Sequence, residues 1–229
     1  MDDRERRKKS AVAFGIVFII LVSGITMAGA NYYYAQLHVT RVACVGDSIT
    51  QGSTFTKQLQ LLLGYNYSVG NFGIAGATVA RDAKIPYIYQ TQFRQAIDFK
   101  PNIVLIMLGT NDANPEISYN ETTFTNDYSY IVSTFQDLES KPQIVLVDSP
   151  KMFVSSSSSY NDSYLINNVI PEVNDLADQL NLTTVDMYHA FAEHPDYYLD
   201  GVHPNEQGST LIASSMYDVV TSLQEDGQN

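Results

Sequence analysis

The chain carries at residues 41–50 the stretch RVACVGDSIT, in which a short apolar run passes directly into Gly46-Asp47-Ser48. The small and β-branched residues of Arg41–Val45 predict a strand. Gly-Asp-Ser after a strand predicts a tight turn into a helix, which lifts the serine hydroxyl above the end of the sheet. Such a serine serves either as a helix cap or as a nucleophile, and this stretch alone leaves both roles open.

The same alternation of short strands with longer helical stretches continues over residues 41–224. The predicted strands are Arg41–Val45, Tyr67–Asn71, Ile103–Met107, Ile144–Val147 and Thr183–Asp186. The predicted helices are Thr56–Leu63, Thr91–Phe99, Thr122–Leu138, Asn161–Leu180 and Glu206–Gln224. Strands that alternate with helices predict βαβ units, and therefore one α/β domain over residues 40–229 with a mainly parallel sheet and helices on both faces.

Further short motifs follow the pattern set by the first one. They are Gly73-Ile-Ala-Gly76, Gly109-Thr-Asn-Asp112 and Asp200-Gly-Val-His203. The first two come directly after predicted strands, whereas the last lies in a loop that leads into the final helix. Ligands bind beyond the carboxyl ends of the strands in parallel sheets, so we expect all of these motifs to meet at one edge.

Asp200 and His203 supply a base with a carboxylate placed to orient it. A carboxylate three residues before a histidine can accept a hydrogen bond from one ring nitrogen while the other nitrogen faces a serine, here Ser48. Asp186 precedes His189 by the same spacing, so that pair stays a rival, and His194 is a weaker one. What favours Asp200 and His203 is their position in a loop that opens a helix.

Two residues are candidates for the donors that stabilise a developing oxyanion. Asn111 follows the most apolar predicted strand and can offer its side-chain amide, and Gly76 can offer its backbone N–H without a side chain in the way. An asparagine in a turn and a glycine required by backbone geometry are the alternatives. His, Cys and acidic residues show no spacing typical of a metal site, so we expect neither metal nor cofactor.

The four motifs, in this order, resemble those of the SGNH (GDSL-type) hydrolases over residues 40–223. The resemblance implies a three-layer α/β/α sandwich with a flavodoxin-like sheet. It also implies that Ser48 is the nucleophile, His203 the base and Asp200 the residue that orients it. The oxyanion hole is implied to consist of the N–H groups of Ser48 and Gly76 together with Asn111.

Finer features are similar to one branch of that family. The segments Lys84–Tyr87 and Ile106–Asp112, with Gly-Asp-Ser-Ile-Thr-x-Gly, look most like the carbohydrate O-acetylesterases. Ala75-Gly76-Ala77 departs from the Ser-Gly-Asp or Ser-Gly-Ala of many members. This departure leaves the backbone donor itself in place.

Residues 11–30, AVAFGIVFIILVSGITMAGA, contain no charged side chain. A helix of this length spans roughly 30 Å, the thickness of the hydrocarbon core of a membrane. Basic residues cluster just before it, which predicts a signal anchor with residues 1–10 as a cytoplasmic tail, 31–39 as a stalk and the domain outside. The alternative is a signal peptide cleaved near Ala30, because Ala28-Gly29-Ala30 has the small-x-small pattern of a cleavage site.

The composition and net charge limit the classes of partner that the protein can bind. The 229 residues are 45% hydrophobic and 17% charged, which is typical of a globular protein, and the formal net charge of −12 argues against a nucleic-acid partner. The one cysteine, Cys44, lies in an apolar run and is expected to be buried. Asn-x-Ser/Thr sequons at Asn66, Asn120, Asn161 and Asn181 predict a glycoprotein. Nothing in the sequence indicates an oligomeric state.

These observations together predict a membrane-tethered serine esterase outside the cytoplasm. We expect it to hydrolyse short-acyl (acetyl) esters, on carbohydrate, through an acyl-serine intermediate. A lysophospholipase or thioesterase that acts on lipid acyl esters is the enzymatic alternative, since the anchor holds the domain near lipid. A glycan-binding protein that keeps the fold without the chemistry is the alternative from another class.

Overall fold

A computed structural model of the chain describes residues 20, 22–27, 29, 39–114, 121–156 and 158–226. The chain divides into two compact units, residues 1–39 and 40–229. In the described part of the first unit, residues 20, 22–27 and 29 are helical. No helix among the described residues is both long and apolar enough to cross a membrane. Most of the predicted span 11–30, the tail 1–10 and residues 31–38 of the stalk lie outside the described residues.

The second unit is built on a parallel sheet. Its strands are β1 (Thr40–Gly46), β2 (Tyr67–Gly73), β3 (Ile103–Met107), β4 (Gln143–Val147) and β5 (Thr183–Val185). These five strands pair in the order β2-β1-β3-β4-β5, and every pairing is parallel. The predicted α/β fold with a parallel sheet is confirmed, and this strand order is that of flavodoxin-like folds.

Helices follow every strand. They are α1 (Ser48–Gly52), α2 (Phe55–Leu63), α3 (Thr91–Asp98), α4 (Glu121–Gln136), α5 (Asp162–Tyr164), α6 (Ile170–Leu180), α7 (Met187–Ala190) and α8 (Glu206–Asp226). The single helix predicted over Asn161–Leu180 is interrupted, since a π-helical turn, Leu165–Val169, lies between α5 and α6. Pro171 at the start of α6 has no N–H to donate to the preceding turn, which favours such a widening.

Alternate side chains of the central strand point into two separate cores. Val104 and Ile106 of β3 pack with side chains from α3, α4 and α6 on one face of the sheet. Ile103 and Leu105 pack on the other face with side chains from α2 and α8. The period of two in a strand produces this division, and the result is a sheet covered by helices on both faces.

The order of the strands places a crevice beyond the carboxyl end of β1. From β1 the chain passes to β2 on one side, and β3 lies on the other side. Gly46, the last residue of β1, is in register with Gly73 of β2 and Met107 of β3. Three of the predicted motifs therefore leave the sheet at the same level, at the switch point where parallel sheets bind ligands.

Candidate active site

Ser48 begins α1 directly after β1. The carboxylate of Asp47 accepts a hydrogen bond from Ile49 N at 2.9 Å and caps the helix. Asp47 and not Ser48 therefore caps this helix, and the Ser48 hydroxyl is available for another partner. That partner is a histidine from the far end of the chain, since Ser48 Oγ lies 3.0 Å from His203 Nε2.

The histidine is oriented by Asp200. His203 Nδ1 lies 2.7 Å from Asp200 Oδ2, while Asp200 Oδ1 accepts hydrogen bonds from Val202 N at 3.0 Å and His203 N at 2.8 Å. Partial burial raises the pKa of Asp200, but these bonds outweigh it, so the pKa lies below its ordinary value. An ionised Asp200 holds the proton on Nδ1 and leaves Nε2 as an acceptor for the serine proton.

The rival pair has the same internal geometry but faces no serine. His189 Nδ1 lies 2.7 Å from Asp186 Oδ2, and His189 N donates to Asp186 Oδ1 at 2.9 Å. Within the described residues, only His203 lies within hydrogen-bonding distance of a serine hydroxyl. His194 instead stacks on Tyr197, with ring centroids 4.2 Å apart.

The predicted oxyanion donors lie at the ends of β2 and β3. Gly76 has a φ of +75°, a left-handed conformation that glycine adopts without strain. Asn111 is almost buried and donates from Nδ2 to Ala77 O, next to Gly76, at 2.9 Å. Since Nδ2 carries two hydrogens, one remains for a ligand. In the described part of the chain, the N–H groups of Ser48 and Gly76 donate to no protein acceptor.

Asp112, for which the sequence predicts no role, holds the loop that contains Gly76. Its carboxylate is fully buried and accepts hydrogen bonds from Val79 N and Ala80 N, both at 3.0 Å. Asn111 also bonds to Ala77 in this loop. The side chains of two consecutive residues after β3, Asn111 and Asp112, therefore hold the loop that follows β2. The signal in the sequence is an acid in the motif that follows the most apolar strand.

Two buried carboxyl groups behind the serine have raised pKa values. Burial raises the pKa of Asp47 to about 6, although the hydrogen bond from Ile49 N and the positive charge of His203 oppose the shift. Burial likewise raises the pKa of Asp112 to about 6, and the charge of Asp47 adds to it.

A cavity of about 360 Å³ opens beside the candidate oxyanion donors. Gly76 and Asn111 form part of its wall, and Ile85 contributes an aliphatic side chain to a lining that carries both polar and apolar groups. Ser159 and Tyr160 close it on the side of the serine-rich loop. No signal in the sequence singled out Tyr160. Ser159 ends the serine-rich stretch Ser155–Ser159, of which residue 157 lies outside the described residues.

Neither the cysteine nor a group of metal-binding side chains offers a second site among the described residues. Cys44 is buried in the core, and burial raises the pKa of its thiol to about 12, which makes it a poor nucleophile. No group of three or more His, Cys, Asp or Glu side chains in the described ranges is placed to hold a metal ion.

The chain is similar in sequence to known proteins. The model of the GDSL-like lipase/acylhydrolase family matches residues 44–211. An acetylxylan esterase from Xylanibacter ruminicola is 29% identical over 198 residues, which cover 76% of this chain and 41% of that protein. The chain therefore spans less than half the length of that curated relative.

Solved structures share the fold. An aryl esterase from M. smegmatis superposes with a TM-score of 0.64 at 17% identity, covering 81% of this chain and all of the other. A carbohydrate acetylesterase family member from Sinorhizobium meliloti superposes with a TM-score of 0.62 at 21% identity, covering 80% of this chain and 97% of the other.

The buried carboxyls predict how stability depends on pH. Because the pKa values of Asp47 and Asp112 are raised in the folded state, the folded protein retains protons that the unfolded chain has lost between about pH 4 and pH 6. The free energy of unfolding is expected to fall as the pH rises through that interval, by on the order of 1–3 kcal/mol for each carboxyl. Urea midpoints measured across the interval test this.

Asp47→Asn is the matched variant, because the amide keeps an acceptor for Ile49 N but does not titrate. Its midpoint is expected to fall less steeply with pH than that of the wild type. A midpoint that rises with pH, or a parallel profile in the variant, would show that Asp47 is not the titrating group.

Proposed function

Because this chain belongs to the GDSL-like lipase/acylhydrolase family, we propose that it is a serine ester hydrolase with Ser48 as nucleophile. One observation carries the proposal: Ser48 Oγ lies 3.0 Å from His203 Nε2, and His203 Nδ1 lies 2.7 Å from Asp200. This is hydrogen-bonding distance between nucleophile and base, with the base oriented by a third group.

The proposed reaction proceeds in two steps. Ser48 Oγ attacks the ester carbonyl carbon while His203 Nε2 takes the hydroxyl proton, and the tetrahedral intermediate collapses as His203 returns that proton to the leaving alcohol. Water then attacks the acyl-serine while His203 takes one of its protons, and the second tetrahedral intermediate releases the acid as His203 returns that proton to Ser48 Oγ. Asp200 remains ionised throughout and stabilises the imidazolium.

The oxyanion of both intermediates is assigned to the N–H groups of Ser48 and Gly76 and to Asn111 Nδ2. The turn after β1 and the left-handed Gly76 leave both backbone donors without a protein acceptor in the described part of the chain. Donors fixed before the reaction need no reorganisation as charge develops, and one such donor is worth about 10²–10³ in rate.

For the substrate, we propose short-acyl esters, acetyl in particular, on carbohydrate. The similarity to an acetylxylan esterase supports this choice. The cavity beside Gly76 and Asn111 is also lined by Lys84 and Ser159, whose polar groups can bond to sugar hydroxyls. The alternatives are a lysophospholipase or thioesterase and, in another class, a glycan-binding protein without catalysis.

For the location, we propose that the esterase acts outside the cytoplasm, tethered by residues 11–30. The uncharged run and the basic residues before it support the anchor. Cleavage near Ala30, which would release a secreted enzyme, is the alternative. We further propose glycosylation at Asn66 and Asn181, whose side chains are exposed, whereas Asn161 caps a helix through Tyr164 N.

Hydrolysis of p-nitrophenyl esters with acyl chains of two to sixteen carbons tests activity and substrate together. We expect the wild type to hydrolyse the acetate ester fastest, with rates falling as the chain lengthens. Ser48→Ala is expected to lose at least about 10³-fold in kcat/KM, because no hydroxyl remains to form the acyl-enzyme.

Circular dichroism of the Ser48→Ala variant serves as the folding control. Undiminished hydrolysis in a folded variant would remove Ser48 from the mechanism. A maximum at long chains would favour the lipid-directed alternative, and the absence of hydrolysis in the wild type would favour the glycan-binding one.

The anchor predicts partitioning of the full chain. After alkaline carbonate extraction of expressing cells, the full chain is expected in the membrane pellet, and a variant without residues 1–30 in the supernatant. Recovery of the full-length, uncleaved chain in the supernatant would contradict the anchor, and a shortened secreted form would establish cleavage.

A further inference from the structure

The Asn111 amide is bonded through both of its polar atoms. Its Nδ2 donates to Ala77 O at 2.9 Å, and its Oδ1 accepts from the hydroxyl of Tyr160 at 3.4 Å. We propose that Tyr160 is a positioning residue of the oxyanion hole, which orients the Asn111 amide so that its remaining N–H faces the substrate. This inference rests on the function proposed above and adds a residue outside the four motifs.

The orientation of the amide follows from the chemistry of its partners. A backbone carbonyl such as Ala77 O only accepts hydrogen bonds, so the nitrogen of the amide must lie on that side. The oxygen then points toward Tyr160, whose hydroxyl can donate. Asn111 is 8% exposed, so its carbonyl oxygen has little access to water in place of the tyrosine.

A half-turn of the amide would reverse its effect on the reaction. Asn111 would then present its oxygen, an acceptor, to the negative charge that develops on the substrate. The Ala77 carbonyl opposes this turn because it would face the amide oxygen, and the turn would also end the hydrogen bond that Tyr160 donates to Oδ1. The hydrogen bond from Tyr160 also draws electron density toward Oδ1, which makes the Nδ2 hydrogens better donors.

The surroundings of Tyr160 keep it a donor and hold it in place. Partial burial raises the pKa of Tyr160, and the charges of Asp47 and Asp200 raise it further, so the phenol stays protonated. Its backbone N donates to Ser158 Oγ at 3.1 Å, and the next residue, Asn161, caps α5. The side chain reaches the donors from the wall of the cavity that also contains Gly76.

A double-mutant cycle of Tyr160→Phe and Asn111→Ala tests the proposal in the full chain with p-nitrophenyl acetate. In the wild type, Tyr160→Phe is expected to lower kcat/KM about 3- to 10-fold, the effect of one lost hydrogen bond, with KM nearly unchanged. In the Asn111→Ala background it is expected to have no further effect, because the group through which it acts is absent.

Tyr65→Phe is the matched control, since Tyr65 is exposed just before β2 at the opposite edge of the sheet. It removes the same atom and is expected to leave kcat/KM unchanged. An equal loss from Tyr160→Phe in both backgrounds would mean that the tyrosine acts on the substrate directly, and no loss in the wild type would mean that it has no role. Either result overturns the proposal.

Labelling of Ser48 by a fluorophosphonate separates this proposal from the proposed function. The phosphonyl oxygen occupies the oxyanion hole during labelling, yet no ester needs to be hydrolysed. Labelling rates followed by intact mass are expected to show the same pattern across the cycle. If the wild type labels but hydrolyses no ester, the proposed function fails while the labelling cycle still decides on Tyr160. If Ser48 does not label at all, both proposals are overturned.

Discussion

The pairing of Gly46 with Gly73 on one side and with Met107 on the other sets the positions of Ser48 and of the segments that carry Gly76 and Asn111. Because three parallel strands end at one level, the turns that follow them begin within reach of each other. The pairing leaves no room for a side chain, since a Cβ on Gly46 would lie 2.1 Å from Thr50 Oγ1 and 2.8 Å from Met107 O. A larger residue would push α1, and Ser48 with it, away from the sheet.

The base reaches this edge by a different route. His203 lies in the loop before α8, and that loop is closed by a hydrogen bond from Leu199 N to His203 O at 2.8 Å. It is also tied to the segment after β4, because Phe153 N donates to Gly201 O at 2.8 Å. Gly201 has a φ of +85°, and a Cβ there would lie 2.3 Å from Phe153 O. Backbone contacts thus carry His203 to a serine 155 residues earlier.

Strand positions and the sheet could be predicted from sequence because β-branched runs such as Ile103–Met107 are buried on both faces and carry an unambiguous pattern. The pairing of Asp200 with His203 was also readable, because it depends on local spacing. The same spacing produces an identical pair at Asp186 and His189, and only long-range packing decides which histidine meets Ser48. Local sequence does not encode that choice.

The contribution of Tyr160 was not predictable for the same reason. It reaches Asn111 across 49 residues of sequence, from a serine-rich loop with no hydrophobic periodicity. Asp112 was predictable only in part. Its position after a strand was visible, but its bonds to Val79 N and Ala80 N depend on how the loop after β2 folds back. Residues that position others act through tertiary contacts, which short motifs do not report.

The central claim is that Ser48 and His203 act as one unit. Comparing kcat/KM for p-nitrophenyl acetate in Ser48→Ala, in His203→Ala and in the double variant tests it most directly. If serine and histidine act only together, the double variant is no slower than the slower single variant. Losses that multiply in the double variant would show that the two residues act independently and would contradict the account.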